Sequence, residues 1–155
     1  WRSVHRGELW IVGRPRMSLA PLRALATPSV RFIPRYVSDR ELPAYFRRAE
    51  VVVLPYSRTE RFDQSGVLAT ALAFAKPIVV SDIGGMAEVA AEGAARLVPA
   101  DDDHALAQAL AGLLADPDAR ARLARAAQAA AQGPYSWREA AVKTLALYRA
   151  LTANR

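Results

Sequence analysis

Two stretches bring small and polar residues together in an order suited to holding an anion. The first is "RTERFDQSG", Arg58 to Gly66, and the second is "SDIGG", Ser81 to Gly85. An alanine- and leucine-rich helix is predicted to begin near Ser65 and to run to about Ala75. The first backbone N–H groups of any helix lack an intrahelical acceptor, and the dipole is positive at that end. Ser65 and Gly66 are small, so a diphosphate can come close to those amides. Arg58 and Arg61 flank the same point and could add positive charge. Gly84 and Gly85 open a second helix, with Glu88 in its first turn, where a carboxylate favours the dipole. A structural reading accounts for the same residues: Ser65 as a cap, the glycines as a turn, Glu88 as a solvated helix residue. Periodicity alone does not choose between the two.

The elements that must position these residues alternate along the chain. Strands are predicted at "ELWIVG" (8–13), "VRFI" (30–33), "VVVL" (51–54), "IVVS" (78–81) and "ARLV" (95–98). Short helices are predicted between them, at Leu19 to Leu25, from the Ser38/Glu41 capping box to about Arg48, from Ser65, and from Gly84-Gly85 to about Ala91. Helices alone follow from about residue 102. Asp102 or Asp103 can cap the first, Asp116-Pro117 has the N-cap and N1 pattern for the second, and Ser136 with Glu139 caps a last one to about Ala150. The strands are continuous apolar runs, as in parallel sheets covered on both faces. The expectation is an α/β chain: a Rossmann-like, doubly wound parallel sheet of about five or more strands, in a single domain over residues 1–155, with C-terminal helices over about 102–153. In such a sheet ligands bind beyond the carboxyl ends of the strands, where both polar stretches fall. Trp137 is expected to anchor the last helix in the core, and Lys76 to suit a helix end. Tyr56 and Asp82 are expected to serve packing and loop structure, Arg14 and Arg16 to lie on a solvated loop, and His104 on a helix surface.

Composition narrows the classes. The chain has 155 residues, 52% hydrophobic and 23% charged, with no run of 18 apolar residues to span a bilayer. Without cysteine there is no disulfide, thiolate metal site or cysteine nucleophile, which fits a reducing, cytoplasmic setting. His5 and His104 are too few and too far apart in sequence for a His-rich metal site. Net charge is +6 and the isoelectric point about 10.3, which suits phosphates or other acidic partners but is more simply read as a solvated, arginine-rich surface. The arginines are scattered and not interleaved with aromatics, so nucleic acid is not the expected partner. Peripheral contact with the inner face of a membrane stays open, as does the oligomeric state, although no amphipathic basic helix stands out. The chain opens on Trp1, and the expectation is a piece of a longer protein.

In this order, "VRFIPRYVSDRELPAYFRRAEVVVLPY", "QSGVLATALAFAKPIVVSDIGGMAEV" and "YSWREAAVKTLALY" resemble the C-terminal half of the retaining GT-B glycosyltransferases of the family 4 type. The resemblance runs from about Leu9 to Tyr148. It is carried by Leu54-Pro55-Tyr56, Ser65-Gly66-Val67-Leu68, Ala73-x-x-Lys76-Pro77-x-Val79, Gly84-Gly85-x-x-Glu88 and Ser136-Trp137. It implies one half of a two-domain GT-B fold, this half holding a nucleotide diphosphate sugar such as a UDP- or GDP-sugar, with the acceptor on an N-terminal domain that this chain lacks. It also implies transfer with retention of anomeric configuration, without a metal or other cofactor. The donor would meet Gln64, Ser65, Gly66, Val67 and Thr70, its diphosphate on the helix that starts at Ser65-Gly66 with Arg58 and Arg61 beside it, and Gly84, Gly85 and Glu88 would stand in the next loop. Base and ribose would lie near Tyr36 and Val37.

The chain departs from the family pattern in two places. The second carboxylate of the Glu-x7-Glu motif is replaced by Thr70, and a usual glycine by Ala75. Phe62 stands where the first carboxylate is counted, leaving Glu60 as the nearest catalytic candidate. Threonine cannot carry charge or grip ribose hydroxyls as a carboxylate does. The basic "GR-x-x-x-x-KG" segment that precedes the first strand in the family is not in this sequence. Transfer is therefore expected of the parent protein and not of this chain alone. Two readings remain in competition: a donor-binding half of an enzyme, and a degenerate module of the same fold that binds without chemistry. A response-regulator-like domain would need acidic residues after the first strand, where "VGRPR" is basic.

Overall fold

Five strands, all paired in parallel, and seven helices form among the described residues, 7–58 and 65–153 of the computed structural model. They fall in two units, Trp1–Arg48 and Ala49–Arg155, each with its own sheet.

The first unit holds β1 (Leu9–Val12), α1 (Ala20–Leu25), β2 (Val30–Ile33) and α2 (Leu42–Arg48). β1 and β2 pair in parallel, Leu9 opposite Val30 and Val12 opposite Ile33. The one charge inside these apolar runs, Arg31, is held by Glu8 at 2.6 Å, and the Trp10 indole N–H donates to the same carboxylate at 2.9 Å. Arg48 stacks on Trp10 at 4.9 Å, and Tyr45 meets that ring edge-on. The Ser38/Glu41 pair forms as the sequence predicts, one turn ahead of the regular helix. The Glu41 carboxylate accepts from the Ser38 amide at 3.1 Å and hydroxyl at 2.9 Å, and from Arg35 at 2.6 Å. Those donors, Arg35 foremost, bring its pKa down to about 2.

The second unit carries β3 (Val52–Leu54), α3 (Gly66–Ala73), β4 (Ile78–Ser81), α4 (Met86–Ala91), β5 (Arg96–Val98), α5 (Asp103–Ala115), α6 (Pro117–Gln132) and α7 (Trp137–Ala153). Its sheet has the order β3-β4-β5. The central strand explains the unbroken "IVVS": Ile78, Val79 and Val80 are fully buried, and Ser81 nearly so. Edge strand β5 instead exposes Arg96 and Leu97. Val79 and Val98 pack with Ala109 and Leu113 of α5, while α3 lies against α6, where Ala71, Leu72, Ala127 and Ala130 are buried. Lys76 does serve structure: its ammonium donates to the Ala49 carbonyl at 3.0 Å.

Helix starts follow local chemistry. Asp102 accepts the Ala105 amide and Asp116 the Ala119 amide, both at 2.8 Å, with Pro117 at the first helical position. Arg120 satisfies carbonyls left open at the end of α5, reaching Leu114 at 2.9 Å. Ser136 caps α7 through the Glu139 amide at 3.1 Å. The expected anchor does not form: Trp137 is 92% exposed, and α7 buries none of its residues. The cap determines where the helix starts, but burial requires a surface to pack against, and none covers Trp137 among the described residues. No helix there is long and apolar enough to cross a membrane.

Candidate functional site

The loops that leave β3 and β4 at the carboxyl edge of the β3-β4-β5 sheet carry the residues singled out in the sequence. β3 ends at Leu54, stopped by Pro55, and the Tyr56 hydroxyl then pairs with Ser65 Oγ at 3.1 Å. Ser65 is the N-cap of α3, with extended backbone (φ −80, ψ 120) and its Oγ accepting the Leu68 amide at 3.4 Å. That bond uses the third amide of the helix. Those of Gly66 and Val67 have no intrahelical acceptor by the geometry of a first turn. Among the described residues, a Cβ placed on Gly66 would meet nothing within 4 Å.

Charge distinguishes α3 from its neighbours. Glu88, Asp103, Asp118 and Glu139 stand in the first turns of α4, α5, α6 and α7, whereas α3 has no acidic residue in its own. Its positive end therefore has no carboxylate of its own first turn to complement it. One turn on, the Thr70 hydroxyl donates to the Gly66 carbonyl at 2.9 Å, on the same helix face. The second loop is built differently. Gly84 is left-handed (φ 49), which suits glycine, and buried Gly85 starts the six-residue α4 without a side-chain cap. Asp82 is exposed, and its amide continues the ladder to the Val98 carbonyl at 2.8 Å.

The structure thus brings Ser65, Gly66 and Val67 onto the first turn of α3 with Thr70 one turn on, and places Gly84, Gly85 and Glu88 after the adjacent strand of the same sheet. Arg58 joins through its backbone: its amide donates to Asp101, from the turn after β5, at 3.1 Å. Sequence reasoning took Tyr56 for packing and did not single out Asp101. The only signal was the acidic run Asp101-Asp102-Asp103, of which Asp102 or Asp103 was read as a helix cap. The Arg58 amide and Ser57 hydroxyl hold the Asp101 carboxyl below the ordinary aspartate value. Glu60, Arg61 and Gln64 lie outside the described residues. Tyr36 and Val37 follow β2 in the first unit. Tyr36 is 71% exposed, and its carbonyl accepts from Arg35 at 3.1 Å.

Residues 1–116 match the family described as Glycosyl transferases group 1. The chain is 38% identical over 120 residues to a D-inositol 3-phosphate glycosyltransferase of Xylanimonas cellulosilytica, covering 77% of this chain and 28% of that enzyme. It is 33% identical over 143 residues to a glycogen synthase of Mycobacterium tuberculosis, covering 91% and 32% respectively. Among solved structures it superimposes on sucrose-phosphate synthase from Thermosynechococcus elongatus with a TM-score of 0.78 at 27% identity, over 98% of this chain and 40% of that one. The chain spans about a third or less of the length of these two curated relatives.

Proposed function

The chain belongs to the group 1 glycosyl transferases, and on that footing we propose that it is the half of such an enzyme that holds the nucleotide-sugar donor. The open, Ser65-capped start of α3, without a carboxylate of its own, carries this reading. A diphosphate seated there accepts hydrogen bonds from the Gly66 and Val67 amides. As the glycosidic bond to the donor breaks, negative charge grows on the leaving diphosphate, and fixed amides and the helix dipole stabilise that charge without reorganising. Arg58 and Arg61 add to the field, and Gln64 borders the turn. Glu60 stands in for the missing carboxylate of the motif, while Gly84, Gly85 and Glu88 border the sugar. Base and ribose rest near Tyr36 and Val37. The sugar passes with retention of configuration, without a metal, to an acceptor held by the remaining length of the parent protein, in the cytoplasm or at the inner face of its membrane.

Thr70 favours a second reading. It is uncharged, and its hydroxyl is committed to the Gly66 carbonyl, so it offers ribose little. A module that keeps the fold without the chemistry would look like this. Titrating UDP and GDP, and then the corresponding sugar nucleotides, into the chain while following backbone amide resonances separates the two. The donor reading expects the Ser65, Gly66 and Val67 amides to move first and furthest. No response to any nucleotide sugar would favour the module, and a response confined to the amino edge of the sheet would overturn the placement.

A further inference from the structure

We infer that Asp101 is a positioning residue for the anion-binding turn at the start of α3, holding from the β5–α5 junction the loop that leaves β3. The inference rests on the donor reading above and names a residue that supports that site without touching it.

Asp101 has left-handed backbone (φ 62), a conformation that side-chain-bearing residues seldom adopt and glycine adopts freely. It is not needed to start α5, because Asp102 already caps that helix through the Ala105 amide. Glycine would serve the turn with less strain; aspartate is one of the side chains that tolerates it, and here its carboxylate also binds across the chain. It accepts the Arg58 amide at 3.1 Å, across 43 residues of sequence, and the Ser57 hydroxyl. The next residue back is Tyr56, whose hydroxyl meets Ser65 Oγ at 3.1 Å, and Ser65 accepts the Leu68 amide. A continuous set of contacts therefore runs from the end of β5, through both described ends of the β3–α3 connection, to the first turn of α3. An acidic group beside an anion site would ordinarily repel the ligand. Here two donors occupy the carboxylate, and the Arg58 guanidinium lies near enough to attract it.

Three variants separate positioning from bulk stability. Asp101→Gly removes the carboxylate and relieves the backbone, Asp101→Ala removes the carboxylate and keeps the strain, and Asp101→Asn keeps an oxygen that can accept the Arg58 amide. Amide exchange at Arg58 is expected to quicken by about tenfold or more in the Gly and Ala variants, and to stay near wild type in Asn. The UDP dissociation constant, read from the Ser65 and Gly66 resonances, is expected to rise about threefold to tenfold in Gly and Ala and to be largely restored in Asn. The thermal midpoint should nevertheless hold or rise in Gly while it falls in Ala. A residue with a merely structural role would make binding follow stability, so Gly would bind as well as wild type, and that result overturns the inference alone. If the wild-type chain shows no UDP response at Ser65 and Gly66, the donor reading falls and the inference with it. Arg58 exchange still reports in that case whether the clasp exists.

Discussion

Helices α3 and α4 leave neighbouring strands of one sheet and end in the same hydrogen-bond pattern, but they begin in opposite ways. α3 starts from Ser65, whose side chain caps the third amide and leaves the first two open, with no carboxylate in the turn. α4 starts from a buried glycine without a side-chain cap, and its first turn already contains Glu88. The dipole of α4 is therefore complemented from within, while that of α3 has no such complement in its own first turn. The two ends invert the pattern. Gly93 occupies the left-handed position after α4 (φ 74), where glycine is the usual residue. Ala75 occupies the equivalent position after α3 (φ 49). In both, the left-handed residue and its successor close back on the helix: Gly93 and Ala94 on Ala90 and Val89 at 2.9 and 3.1 Å, Ala75 and Lys76 on Leu72 and Ala71 at 2.9 and 3.0 Å. The helix with the uncomplemented start, α3, thus has a strained finish. It also follows that Ala75, which departs from the family pattern, bears on stability more than on the chemistry of transfer.

The comparison breaks most decisively at Gly66. Gly66→Glu puts a carboxylate into the first turn of α3 and makes it resemble α4. Among the described residues nothing lies within 4 Å of the new Cβ, and the charge suits the dipole, so stability should hold or rise by about 0.3–1 kcal/mol. A diphosphate would then meet a like charge at contact, and UDP binding should weaken by roughly a hundredfold or more. Denaturant unfolding and a UDP titration on the same sample check both halves. Intact binding would mean that the start of α3 is not special.

The helix ends give a mirrored pair of smaller effects. Gly93→Ala should cost about 1–2 kcal/mol from backbone strain alone, since its Cβ would also meet open space. Ala75→Gly should gain up to about 1 kcal/mol, the relief of strain exceeding the extra entropy of the unfolded chain. Ser65→Ala, which removes both the cap and the partner of the Tyr56 hydroxyl, should cost about 1 kcal/mol. Chemical denaturation of the three variants is sufficient. If Ala75→Gly proves destabilising, the two ends are not equivalent.

What could be read from the sequence was what depends on near neighbours. Ser38 with Glu41, Asp102, Asp116-Pro117 and Ser136 announce helix starts because a cap bonds an amide within three residues of itself. The buried run Ile78 to Val80 announces a central strand because both of its faces must be apolar. The Ser65-Gly66 turn was legible for the same local reason. Contacts made over long separations were not. Asp101 reaches Arg58 across 43 residues, and Ala75 takes a conformation that its side chain does not advertise. The exposure of Trp137 depends on what packs over α7, which no window of sequence around it contains. The assignment of β1 and β2 to a sheet of their own is likewise a matter of pairing, not of strand propensity.

The subtlest effect tests whether Glu88 is already engaged within the protein. Tyr135, between α6 and α7, titrates above the ordinary tyrosine value, chiefly because burial disfavours the phenolate and then because Glu92 and Glu88 repel it. A folded-state pKa above the unfolded one means that folding favours the neutral phenol. Its contribution to stability is complete below the unfolded value and is lost as pH rises through the folded one. Glu88→Gln removes one of the two negative neighbours. Tyrosinate absorbance from Tyr135 should then appear at lower pH, assigned by difference against the same titration in Tyr135→Phe. The displacement should be downward and incomplete, since burial and Glu92 remain. An unmoved titration would mean that the field of Glu88 is directed away from Tyr135.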